Sequence, residues 1–110
     1  VKRPSYLAAI RQLPCVSCGR DPAGEAAHLR LGELGRKDWT AKGRKPDDKW
    51  TTPLCGLCHR DGPNAQHKMA EAVFWNRLRL DPIKLCEDLF SARDHEARLE
   101  VIRRARVGWQ

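Results

Sequence analysis

The sequence has no long apolar run. Nothing in its 110 residues approaches the roughly 20 consecutive apolar residues that a membrane-spanning helix needs. It shows no signal-peptide pattern, no internal repeat and no low-complexity segment. Large aliphatic side chains are scarce before residue 65, where Gly, Pro and charge abound. Such a stretch is too poor in core-forming residues to hold itself together and needs a staple. Acidic residues are outnumbered 14 to 21 by Lys and Arg, which leaves a net charge of +7 and favours polyanions, nucleic acid first among them. An even set of cysteines is also missing. There are five, and with no sign of secretion a disulfide framework gives way to a metal staple in a reducing, cytoplasmic compartment. The length fits one domain, residues 1–110.

Four of the cysteines fall into two C-x2-C pairs, Cys15-Val16-Ser17-Cys18 and Cys55-Gly56-Leu57-Cys58. Each pair on a tight turn delivers two thiolates to one side of a metal at roughly 2.3 Å per bond, so the spacing predicts a structural zinc held by Cys15, Cys18, Cys55 and Cys58. A four-thiolate site contributes roughly −2 and leaves the protein basic. Cys86, left over, reads as a buried apolar residue on a helix.

The chain opens with Lys2-Arg3-Pro4 and a short helix over 5–13, with Ser5 as cap and Leu7, Ile10 and Leu13 on one face. Gly19 allows the positive φ of a knuckle turn. Residues 25–30 read as a strand, with Ala27 and Leu29 on one side and His28 and Arg30 on the other. Residues 31–50 form a long basic loop bearing Arg36, Lys37, Lys42, Arg44 and Lys45, either functional or simply solvated. A return strand is expected over 50–54 and a helix carrying the second cysteine pair and His59 over 55–60. Asn64 would cap another helix over 65–80, with His67 in its first turn. Asp81-Pro82 starts a third, and 94–107 continues helically with Arg98, Arg103, Arg104 and Arg106. That tail could dock on the body, contact DNA or lie in solvent. The four tryptophans (Trp39, Trp50, Trp75, Trp109) read as packing residues.

This order of elements, helix, knuckle, His-bearing strand, basic loop, strand, then the second cysteine pair, is a treble-clef arrangement. In it the chain resembles the HNH, or ββα-metal, endonucleases, and most of all the small phage and prophage members. The matching segments are Ala27-His28-Leu29-Arg30, Gly43-Arg44-Lys45-Pro46-Asp47-Asp48, Pro53-Leu54-Cys55-Gly56-Leu57-Cys58-His59-Arg60, Gly62-Pro63-Asn64-Ala65-Gln66-His67, and Phe74-Trp75 with Asp81-Pro82. The resemblance covers about residues 13 to 90. The resemblance implies an α+β fold: a zinc-stapled core over about 13–70 and a helical extension over about 65–107.

It also implies a DNA endonuclease of low sequence specificity. His28 would be the general base, since an imidazole with a pKa near about 6.5 suits that task at neutral pH. His59 and His67 would hold one catalytic divalent ion, Mg²⁺, Mn²⁺, Ni²⁺ or Zn²⁺, with Asp47 or Asp48 as further ligands. Arg30, Arg36, Lys37, Arg44 and Lys45 would contact DNA. The chain departs from the family at two places. Ala27 stands where many members have an acidic or histidine ligand, and no Asn occurs near Trp50-Thr51-Thr52, where Thr51 would serve as hydrogen-bond partner instead. Those departures suit the alternative, a zinc-stapled DNA-binding or recombination-accessory module without catalysis that meets recombination or phage proteins. A zinc-dependent protein-interaction module would explain the cysteines but neither the basic loop nor His28. No membrane and no small-molecule cofactor is expected.

Overall fold

The computed structural model describes residues 1–41 and 43–107; Lys42 of the basic loop and Trp109 lie outside them. Among the described residues the chain is α+β, with a two-stranded antiparallel sheet and four α-helices. In order these are α1 (Pro4–Arg11), β1 (Glu25–His28), β2 (Thr51–Leu54), α2 (Glu71–Leu78), α3 (Pro82–Ser91) and α4 (His95–Val107). Among the described residues no helix is long and apolar enough to cross a membrane.

The sheet pairs Glu25 with Leu54, Ala26 with Pro53, Ala27 with Thr52 and His28 with Thr51. Beyond β1 the ladder runs on through one more bond, Leu29 N–H to the Trp50 carbonyl at 2.8 Å. β2 is buried along its whole length. Pro53 has no N–H to offer, but its carbonyl accepts the N–H of Val16 at 3.0 Å, so its outer edge is spent on the knuckle.

One apolar cluster joins all the elements. Ile10 and Leu13 from the amino-terminal region, Val16 from the knuckle, Ala27 from β1, Leu29 just past it, and Leu54 from β2 meet Trp75, Leu89 and Ile102 from α2, α3 and α4. Cys86 lies in this cluster, fully buried, as expected of an apolar helix residue. Within it, Phe74 and Trp75 stand edge to face, 5.1 Å between ring centroids.

Three local expectations need correcting. Ser5 does not cap α1: Pro4 is already helical, Arg3 is the cap residue, and no side chain bonds the helix end. Pro supplies the pre-set φ of a first helical turn, which makes a polar cap dispensable here. The helix expected over 55–60 is a single wide turn, Leu57–Asp61, closed by Gly62 N–H on the Leu57 carbonyl at 2.8 Å. The continuous helix expected over 65–80 is broken: a tight turn at Gln66–Lys68 is followed by extended Met69 and Ala70, and α2 starts only at Glu71. Asn64 therefore caps nothing. By contrast, Asp81 caps α3 as read, accepting from the N–H groups of Ile83 and Lys84 at 3.1 Å each.

The basic loop is more constrained than its composition suggests. A Cβ on Gly32 would come within 2.5 Å of the Trp39 backbone nitrogen, so only glycine lets residues 37–39 fold back this closely.

Candidate metal and catalytic centre

The knuckle follows from short backbone bonds. Cys15 N–H donates to the Arg20 carbonyl and Gly19 N–H to the Cys15 carbonyl, both at 2.8 Å, with Gly19 at φ +86°. The Arg106 guanidinium lies over this turn and donates to the Cys15 and Val16 carbonyls at 3.3 Å. The Val16–Pro53 bond then places the knuckle beside the end of β2, which runs straight into Cys55.

The four cysteines meet there. Their sulfurs all lie within 4.8 Å of one another, and Cys18 Sγ is 3.6 Å from Cys55 Sγ. Four thiolates at about 2.3 Å from a tetrahedral zinc are about 3.8 Å apart, so the donor set and its spacing fit that ion. Among the described residues no other cluster of three or more such groups occurs. Burial pushes the Cys15 and Cys58 thiols up. Cys55 is held down: burial opposes this, but donors from the Cys58 backbone and the neighbouring thiols outweigh it. Metal uptake by such a cluster releases protons.

His28 closes β1. The alternation holds: Ala27 and Leu29 are buried, whereas His28 is partly exposed and Arg30 exposed. His28 Nε2 lies 2.8 Å from Asp48 Oδ1. Asp48 Oδ2 accepts the backbone N–H of Arg3 at 2.7 Å, and Asp48 N–H donates to the Val1 carbonyl at 3.0 Å. Thr51 does act as a hydrogen-bond partner, its hydroxyl donating to the Asp48 carbonyl at 2.9 Å. Burial works to raise the Asp48 carboxyl, but the Arg3 N–H and His28 outweigh it and leave it below the ordinary aspartate value. Asp47 is engaged by the Arg3 side chain at 3.0 Å and by Lys49 N–H at 2.9 Å. Neither aspartate joins His59 and His67 in a cluster of possible metal ligands among the described residues, and both carboxylates accept from donors of the protein.

His59 sits in the wide turn, its N–H bonded to the Cys55 carbonyl at 2.8 Å. The ring of His67 approaches it edge-on, with centroids 4.4 Å apart. The structure thus brings together the two histidines expected to share an ion. It also adds a group the sequence reading missed. Glu25 Oε1 is 2.8 Å from His59 Nδ1, and Arg60 grips the same carboxylate through Nε and Nη2. Arg60 chiefly, with His59, lowers the Glu25 carboxyl to about 2, against the opposing effect of burial. Burial, followed by the nearby His59 and Arg60, holds His67 below the ordinary histidine value, which favours the neutral ring a metal needs. The signal for Glu25 was present in the alternation, since residues 25 and 27 share a face of the strand.

Glu71 is a second unforeseen group. Its carboxylate accepts from the N–H groups of Arg30 and Leu31, the latter at 2.7 Å, and from Gln66 Nε2 at 3.3 Å. It ties the chain just past His28 to the turn that bears His67.

The basic residues divide. Arg30, Arg36, Arg44 and Lys45 are exposed. Arg36 is held by Glu33, Asp81 and Glu87 at 2.7, 3.2 and 2.6 Å. Lys37 is 7% exposed and donates to the Asp38 carbonyl at 3.0 Å, with its ammonium over the Trp50 ring. Lys37 is corrected as a DNA contact, because it is turned inward, whereas Arg36 stays exposed with its charge balanced by carboxylates. Trp39 is corrected as a packing residue, since it stands 70% exposed, whereas Trp75 is buried.

Comparison with family models, with curated proteins and with solved structures finds no match for this chain.

Proposed function

We propose that the chain is a metal-dependent DNA endonuclease of the HNH, ββα-metal kind, of phage or prophage type, built on a zinc-stapled treble clef. One observation supports this above the others. The partly buried His28, fixed by a carboxylate, and the His59–His67 ring pair are tied to one another and to the cysteine cluster by short bonds. Glu71 joins the end of β1 to the His67 turn, and Glu25 joins the start of β1 to His59 beside Cys55 and Cys58.

In this reading His28 takes the proton of the attacking water. The water oxygen bonds to phosphorus as the bond to the 3′ oxygen breaks, and the departing oxygen takes a proton from solvent. His59 and His67 would hold a divalent ion, which would supply positive charge at the scissile phosphate and the departing oxygen. Glu25 fills part of the gap left by Ala27. It stands on the same face of β1, accepts the Nδ1 proton of His59 and leaves Nε2 for the ion, an arrangement common around metal-bound histidines. A zinc on Cys15, Cys18, Cys55 and Cys58 would fix the hairpin against the wide turn and hold His28 and the histidine pair in place. Arg30, Arg44 and Lys45 draw the backbone in.

The test is supercoiled plasmid incubated with the zinc-loaded protein and Mg²⁺, Mn²⁺, Ni²⁺ or Zn²⁺, beside His28→Ala with its zinc content measured. Nicking by the native chain alone, at equal zinc, upholds the reading. A second reading draws on the buried Ala27 and on the commitment of Asp47 and Asp48 to protein donors, which leave the ion few ligands. In it the chain is a DNA-binding module without catalysis. Salt-dependent binding with no cleavage under any metal would select it.

A further inference from the structure

The carboxylate of Asp48 is divided between two partners. Oδ2 takes the backbone N–H of Arg3 at 2.7 Å and Oδ1 takes His28 Nε2 at 2.8 Å. Its side chain is 3% exposed, so no water competes freely for either oxygen. The residue itself is anchored at both backbone ends, through Val1 on one side and the Thr51 hydroxyl on the other. A carboxylate only accepts hydrogen bonds. Nε2 must therefore carry the proton in this pair. The neutral ring then keeps its lone pair on Nδ1, for which no hydrogen-bond partner occurs among the described residues, and the side chain is one-fifth open to solvent.

We infer that Asp48 is the positioning residue of the base: it fixes His28 as the Nε2-protonated tautomer and makes Nδ1 the atom that takes the proton from the attacking water. This rests on reading His28 as the base. The short segment that runs through Arg3 into α1 belongs to the device, because its N–H occupies the second oxygen and stops the carboxylate from turning away.

The division of the two oxygens makes Asp48→Asn an unusually sharp probe. The Arg3 N–H can only donate, so the carboxamide oxygen must face it. That places the carboxamide NH₂ opposite His28 Nε2, which then has to accept, and the ring proton moves to Nδ1. The same exchange behind the histidine of a Ser-His-Asp triad keeps the geometry, produces the wrong tautomer and lowers kcat by about 10⁴.

The experiment is a long-range ¹H–¹⁵N correlation spectrum of the zinc-loaded full chain and of Asp48→Asn, with His28→Gln to assign the ring signals. It is recorded about two pH units above the ordinary imidazole value, so that neutral rings dominate. Plasmid cleavage is measured on the same samples. The expected result is protonated Nε2 in the native protein and protonated Nδ1 in the variant, with cleavage down by at least 100-fold while zinc content and DNA affinity hold. Native His28 protonated at Nδ1, or an unchanged tautomer and rate in the variant, overturns the inference. If the tautomers switch as stated but neither protein cuts DNA, the nuclease reading falls and takes the role of Nδ1 as base with it, while the control of the His28 tautomer by Asp48 stands.

Discussion

His67 presents its ring edge to His59 at 4.4 Å between centroids, while Glu25 occupies the Nδ1 side of His59. Two imidazoles this close, one of them oriented by a carboxylate, make a pair suited to transition metals. Zinc-loaded protein should therefore bind a second equivalent of Ni²⁺ or Co²⁺ in calorimetry. His59→Ala or His67→Ala should abolish that event. Glu25→Gln should weaken it by about 10- to 100-fold, the usual effect of losing the partner behind a metal-bound histidine. A second binding event that survives in His67→Ala would remove the ring pair from consideration.

The first equivalent is a separate matter. A four-thiolate zinc contributes about 10–16 kcal/mol of apparent binding energy in small zinc-finger peptides. That rivals the whole stability of a typical domain, about 5–15 kcal/mol. Cys58→Ser or a strong chelator should accordingly unfold the hairpin region, seen as collapse of the amide signals of β1 and β2. Cobalt bound in place of zinc should show the absorption of tetrahedral thiolate coordination. A chain that keeps its dispersed spectrum without metal would contradict a structural role.

Contacts with DNA should follow exposed charge that no carboxylate already balances, and not the count of basic residues. Arg44→Ala and Lys45→Ala are each expected to reduce the slope of log affinity against log salt by about 0.9. Arg36→Ala should leave the slope alone, since three carboxylates already balance that charge. Titration of duplex DNA at several salt concentrations checks all three.

Asp81 offers a test of the fold by pH. Burial raises its carboxyl, but the Lys84 N–H, Arg36 and the Ile83 N–H outweigh it and set the folded value below the ordinary 3.8. A lowered aspartate stabilises the fold above its unfolded value, and that contribution fades as pH falls through the folded one. Asp81→Ala should therefore cost about 1 kcal/mol at neutral pH, as losses of helix caps do. The difference from the native chain should shrink below pH 3.8. Urea unfolding of both proteins at a series of pH values reads this directly, and a difference that grows in acid would refute it.

What could be read in advance was whatever the chain signals locally. The two C-x2-C pairs announced their cluster, the alternation around Ala27 and Leu29 announced β1, and Asp81-Pro82 announced α3. Groups that act across the sequence left no such mark. Glu25 reaches His59 over 34 positions and Glu71 reaches Leu31 over 40. Capture of Glu71 by the end of β1 accompanies the start of α2 at that residue, and so the break before it, with no Gly or Pro between 65 and 70 to announce it. Asp48 illustrates the same limit. An aspartate in a polar turn reads as solvated until the fold lays the chain near Arg3 and His28 against it on either side. Lys37 looked like a DNA contact for the opposite reason: composition counts a charge without showing which way it points.

Cys18 and Cys55 are 37 positions apart in the chain, although their sulfurs touch in the finished fold. On the ribosome the first pair of thiols must therefore emerge and wait while 37 more residues are added. During that interval they are open to oxidation or to capture by another soft metal. Ile102, which closes the core above them, arrives later still. The yield of folded protein in a cell should thus depend on zinc supply and thiol redox state at the time of synthesis.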